Sequence, residues 1–281
     1  MRRSSALCAV ALTGLLAGCS GAGDGPESDG RSGGRGEASA SAGERASGGT
    51  APDPGGGAGT SAVPTAPRAL EPDPARSPTT RAAALDLIRR VIADPDSFGS
   101  GVVKRSPYES GPATWPVLGK DCVWHQGAPG YGVLATLGRS FELPASAGKG
   151  PVRLAATVTV HRTREGAAWE VAESIEESMR CPTQRLRDGE LIGGLVAGAL
   201  FGGEANQNNS DDFLSETGQY RSTELGGPHY YAWQQAQAHR FTVSVTGKGA
   251  KGRTEREIDD LVVQAQAAML VRLRSAVEKQ S

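Results

Sequence analysis

Aromatic side chains are scarce in this 281-residue chain, with 4 Trp, 5 Tyr and 5 Phe, and none precedes Phe98. Every aromatic thus lies in the last two-thirds of the chain, and a single modest folded unit is expected. Excess positive charge is also missing, since 30 Lys and Arg face 31 Asp and Glu for a net charge of -1. Nucleic acid is therefore excluded as a partner, because polyanion binding draws on clustered cations that displace counterions. No HExxH and no CxxC occurs, and there are only four histidines, His125, His161, His229 and His239. Neither a metal site nor a cofactor is expected, and the chain reads as non-catalytic.

What the sequence does hold begins at its start. Arg2 and Arg3 precede an apolar run from Ala6 to Leu16 and then small residues. That run is shorter than the roughly 20 residues of a membrane span, so it reads as a secretory signal. Its end, Leu16-Ala17-Gly18-Cys19, resembles the lipobox of bacterial lipoproteins. The resemblance implies that residues 1–18 are removed and that Cys19 carries a lipid. Membrane lipid is then a partner, and the protein sits on the outer face of the cytoplasmic membrane. Residues 19–76 are rich in Gly, Ser and Pro with almost no large apolar side chain. They cannot offset the entropy of ordering, and a disordered tether spanning about 40 Å is expected.

Removing Cys8 and lipidating Cys19 leaves Cys122 and Cys181. In an exported domain the simplest reading is a disulfide, with two buried thiols or a redox or metal pair as alternatives. Closing a loop of about 60 residues would stabilise the fold by about 4 kcal/mol in chain-entropy terms.

Residues 77–281 read as an α+β domain, an antiparallel sheet packed by helices. Ser77-Pro78-Thr79 opens a helix whose apolar positions are Leu85, Ile88, Val91 and Ile92, and Asp94-Pro95 stops it. Residues 98–116 read as loop, with Tyr108 and Trp115 at the core edge, and Cys122 to His125 as a short strand. In Val152 to His161, Val152, Leu154, Ala156, Val158 and Val160 alternate with more polar neighbours, which predicts a half-buried strand pairing with Val133 to Leu143. His161 falls on the wetter face. Thr163 caps a helix to Arg180, with Trp169, Ala172, Ile175 and Met179 expected in the core and Glu170, Glu173, Glu176 and Glu177 on a solvated face.

The stretch Glu190 to Glu216 reads as a strand and then a long loop. Its carboxylates Glu204, Asp211, Asp212 and Glu216 lack the spacing of a calcium loop. Three strands follow, at Gln219–Thr223, Tyr230–Gln237 and His239–Thr246, with Tyr230 on the side that could form a binding surface. The run 247–254 has a phosphate-loop outline but Arg253 in place of the lysine, and it reads as a Gly turn. Lys248 and Lys251 beside the next helix are candidates to hold an anion. Thr254 and Glu257 form a capping box for a long terminal helix to Glu278.

This order of elements, with one cysteine entering the sheet and the other closing the middle helix, resembles the PknH-like extracellular sensor domain of actinobacterial receptor kinases and lipoproteins, from about Thr79 to Lys279. The resemblance implies an antiparallel sheet packed by helices, a disulfide between Cys122 and Cys181, and a cleft for an unidentified ligand. The expected function is a membrane-anchored, non-catalytic ligand-binding or sensor-like domain. The alternatives are a docking module for an envelope protein, through the aromatics and the 190–216 loop, and a cell-envelope hydrolase.

Overall fold

The computed structural model describes residues 69–198 and 209–279. The signal, Cys19, the tether up to residue 68 and part of the 190–216 loop lie outside that set. The strands are β1 (Val103–Glu109), β2 (Trp115–Leu118), β3 (Trp124–Gly127), β4 (Val133–Leu143), β5 (Val152–His161), β6 (Thr183–Arg187), β7 (Glu190–Gly198), β8 (Asp212–Ser222), β9 (Gly226–Ala238) and β10 (Phe241–Lys248). The helices are α1 (Arg81–Val91), α2 (Arg164–Arg180) and α3 (Glu255–Val277). Eight strands form one antiparallel sheet in the order β1-β4-β5-β10-β9-β8-β7-β6, and β2 and β3 form a separate hairpin. The domain is α+β, an antiparallel sheet packed by helices with one disulfide and a long C-terminal helix, as expected.

Strand alternation divides the large sheet into two unlike faces. On one face Val152, Leu154, Ala156, Val158 and Val160 of β5 meet Phe241, Val243 and Val245 of β10 and Phe141 of β4. Helices α1 and α3 close over this face with Ile88, Val91, Ile258, Val262, Met269 and Leu273, giving the main core. α3 approaches β10 so closely that a side chain at Gly247 would meet Ile258 and Val262 at 2.6 and 2.9 Å. Its capping box is formed, with Thr254 and Glu257 each accepting from the other's backbone.

Several expectations need correction. α1 starts at Arg81 with Thr80 as its cap, because the Ser77 N–H turns back to Asp73 O at 3.0 Å. Packed chain begins before residue 77: Leu70 is buried in the core, and Asp73 N donates to Val277 O at 2.8 Å. The stretch 98–116 holds β1 and part of β2, with Tyr108 edge-on to Phe141 at 5.6 Å. Residues 212–216 belong to β8 and not to a loop.

The largest correction concerns α2. Its buried positions are Ala167, Val171 and Ser178, while Trp169 and Met179 are 68% and 79% exposed. The apolar stripe faces outward and the carboxylates of Glu170 and Glu177 face the sheet. Cys181 explains the inversion. It bonds Cys122 with Cα atoms 5.5 Å apart, so the stripe leading back from it at helical spacing, through Glu177, Ser174 and Glu170, must be the inner one.

Candidate functional site

The second face of the sheet is polar, yet it is not left to solvent. Thr136 of β4, Thr157 and Thr159 of β5, Gln235 of β9, and Ser244 and Thr246 of β10 share it, and α2 and the β2–β3 hairpin stand over it. Hydroxyl and amide side chains are short, so they line a covered space where Lys or Arg would fill it. Between these layers lies a cleft of about 460 Å³. Its walls add three indoles, Trp115, Trp124 and Trp233, and four carboxylates, Glu170, Glu173, Glu177 and Glu216.

The disulfide positions the hairpin wall. Beside the Cys122–Cys181 bond, Arg185 N donates to Cys122 O at 2.8 Å and Trp124 Nε1 donates to Gln184 Oε1 at 2.7 Å. These contacts tie the hairpin to the segment that leaves α2, and so hold two of the indoles over the sheet.

At the base of the cleft Glu170 is fully engaged. His161 Nε2 lies 2.6 Å from it, and Thr242 Oγ1 and Gln235 Nε2 each donate to it at 2.8 Å. His161 is therefore a buried partner of a helix carboxylate and not a wetted strand residue, because α2 covers its end of the face.

Glu177 and Glu216 are different, since neither takes part in any ion pair among the described residues. Burial, with Arg180 opposing and Glu173, Glu176 and Glu170 adding, pushes the Glu177 carboxyl up to about 7. Burial and then the neighbouring Glu177 push Glu216 up to about 7 as well, although Tyr231 hydrogen-bonds it. Two carboxyls titrating near neutrality among aromatic rings can accept a proton, or can stay ionised if a ligand brings positive charge.

A second, smaller cavity of about 230 Å³ adjoins the cleft and shares Ala155, Leu186, Thr246 and Lys248 with it. Its character is basic, from Arg105, Arg153, Arg187 and Lys248, with Glu190 among them. Burial alone would raise the Glu190 carboxyl, but Arg187 and Lys248 more than offset it and leave it below the usual value. Burial lowers the Lys248 ammonium against the pull of Glu190, 3.1 Å away.

The residues singled out from sequence are not brought together. Lys248 lies on β10 and lines both cavities. Tyr230 points to the opposite side of the sheet, where its hydroxyl donates to Asp259 of α3 at 2.9 Å, and it is the alternating Tyr231 and Trp233 that face the cleft. Lys251 is exposed in the turn before α3 and lines neither cavity. The N-terminus of that helix holds the chain's own carboxylate, Glu257, with Lys149 Nζ at 2.5 Å. Of the acidic set after Glu190, Asp211 caps His239 N at 2.7 Å, Glu216 enters the cleft, and Glu204 lies outside the described residues.

Two serine spacings used by hydrolases occur without their context. Gly30-Arg31-Ser32-Gly33-Gly34 lies outside the described residues. Ser146 and Lys149 close a backbone turn on each other, and the lysine amine goes to Glu257.

Sequence reasoning missed Glu170, Glu177, Glu216, Gln235 and the three indoles. Two signals were available: the Thr, Ser and Gln content of the supposedly wet face, and the helical register counted back from Cys181.

No protein-family model and no curated protein matches the chain. Among solved structures it is similar to the crystal structure of the extracellular domain of PknH from Mycobacterium tuberculosis, with a TM-score of 0.43 and 13% identity over 71% of this chain and 99% of that one. Among the described residues no helix is long and apolar enough to cross a membrane.

Proposed function

We propose that the chain is an extracytoplasmic, lipid-anchored, non-catalytic domain that binds a small ligand in the cleft between the sheet, α2 and the β2–β3 hairpin. The observation that carries this reading is the enclosed polar face. A sheet face of hydroxyls, amides and the indole of Trp233, roofed by α2 and the two indoles of the hairpin, leaves a space of about 460 Å³, within the usual range of small-molecule sites, roughly 300–1,000 Å³. The Cys122–Cys181 bond supports an oxidising compartment. The lipobox-like end at Cys19 supports an anchor.

Native mass spectrometry of the full chain isolated from its envelope tests the binding. A discrete added mass that leaves on denaturation, and that Trp233→Ala abolishes, is expected. A persistently unliganded chain would overturn the reading. The anchor is tested by Cys19→Ser, which should release the protein from membranes into detergent-free buffer; continued retention would refute lipidation.

A second reading, a docking module, is supported by the outward stripe of α2, where Trp169, Ile175 and Met179 are exposed. Crosslinking in intact envelopes separates the two, since docking requires a protein adduct that Trp169→Ser removes.

A further inference from the structure

We propose that the acidic end of the cleft binds an organic ammonium, its charge set between Glu177 and Glu216 and its apolar body against Trp115, Trp124 and Trp233. This rests on the cleft being a ligand site and names the chemistry it would select.

Charge is the first argument. The lining carries Glu170, Glu173, Glu177 and Glu216 against one ammonium, Lys248, which is already committed to Glu190. Glu170 has its own partners, but Glu216 is only 6% exposed and has no cation beside it among the described residues. A buried carboxylate without a counter-charge is costly, and a bound cation is the group that relieves it.

Placement is the second. Glu216 of β8 stands directly opposite Trp233 of β9 on the cleft face, and side chains so paired sit about 5 Å apart at Cβ. One carboxylate beside one indole is the combination that holds a cation over a ring.

The third is an acceptor that wants a donor. Gln235 is 2% exposed and lines the cleft, and its Oε1 has no hydrogen-bond partner among the described residues. Its orientation is set, because its Nε2 must donate to the acceptor-only carboxylate of Glu170. The free oxygen, at the Glu170 end of the cleft, calls for a donor group on the bound ligand. An anion would meet net negative charge, and no cluster of three metal-ligating groups is found among the described residues.

The groups facing this site determine its pH response. Glu177 is faced by Arg180, Glu176, Glu173 and Glu170 of its own helix and by Glu216 of β8. Glu216 is faced by Glu177 and by Tyr231 of β9, and Lys248 of β10 lines the same cleft. Cation binding should therefore strengthen as the two carboxyls lose protons through the neutral range.

The test titrates the full chain with 2-phenylethylammonium, its neutral analogue 2-phenylethanol and the anion 3-phenylpropionate, following indole fluorescence and calorimetry at pH 6 and pH 8. The ammonium is expected to bind about tenfold or more tightly than either analogue, a step of about 1.4 kcal/mol, and more tightly at pH 8 than at pH 6. Glu216→Gln should abolish that preference while leaving the alcohol's affinity unchanged. Glu177→Gln, on a less buried side chain, should do the same and guards against misfolding of the first variant.

Alcohol or anion binding as tight as the ammonium, and lost in Trp233→Ala, would overturn the cation assignment while the ligand site stands. If no probe perturbs the indoles, both fall. Turnover of a chromogenic glycoside that Glu216→Gln abolishes would also overturn it, since the carboxyls would then be acid and base and not a cradle for charge.

Discussion

Glu216 and Glu177 impose a pH signature on folding. Both carboxyls titrate near 7 in the folded chain against an ordinary value of 4.5. Between those values the folded chain binds more protons than the unfolded one, so stability falls as pH rises from 4.5 to about 7 and levels off above. Glu257 acts in the opposite sense. Lys149 and the Thr254 backbone hold it down to about 2, so its stabilisation is present above 4.5 and is lost as pH falls toward 2. The melting temperature of the unliganded chain should therefore peak in mildly acidic buffer. Glu216→Gln should raise it in mildly alkaline buffer and flatten the profile between, as thermal melts across pH will show; an unchanged profile would mean that these carboxyls are not coupled to folding. None of this was legible from residue types. Glu216 and Glu177 stand 39 positions apart, and only the packing of α2 over β8 brings them together. Tyr230 shows the converse: its alternation with Tyr231 was legible, but which of the two faces the cleft depends on which side α3 covers.

Among the elements, α2 is the instructive case. Apolar periodicity favours Trp169, Ala172, Ile175 and Met179 as the inner stripe, whereas the disulfide selects Glu170, Ser174 and Glu177. The covalent constraint wins because Cys181 must reach Cys122, and rotating the helix to bury Trp169 would carry the cysteine away from its partner. Met179→Ser should thus change stability by no more than about 0.5 kcal/mol. Val171→Ala, on the buried side, should cost about 1–3 kcal/mol in urea unfolding. Equal costs would restore the apolar stripe to the interior. Replacing Cys122 and Cys181 with Ser should remove about 4 kcal/mol by loop entropy. It should also free the hairpin, which would appear as greater acrylamide quenching of Trp115 and Trp124; unchanged quenching would mean that the Gln184 and Arg185 contacts hold the hairpin without the bond.

In the whole molecule, the two faces of one sheet divide the work. The apolar face supports the core under α1 and α3, and the polar face supports the cleft under α2 and the hairpin. The core draws in chain that looked like tether, for Leu70 packs with it and Pro72 bridges to Glu278 at the end of α3. Leu70→Ala in the full chain should cost about 2–4 kcal/mol in urea unfolding. A cost near zero would return residues 69–76 to the tether. The sequence by itself determined the α+β class, the β4–β5 pair, the cap of α3 and the cysteine pair, because alternation, capping and covalent arithmetic are local or compositional. Tertiary structure alone decided which face of α2 turns inward, that a polar sheet face is covered, and that two distant glutamates share one cleft with three indoles, because those outcomes depend on how separate elements pack.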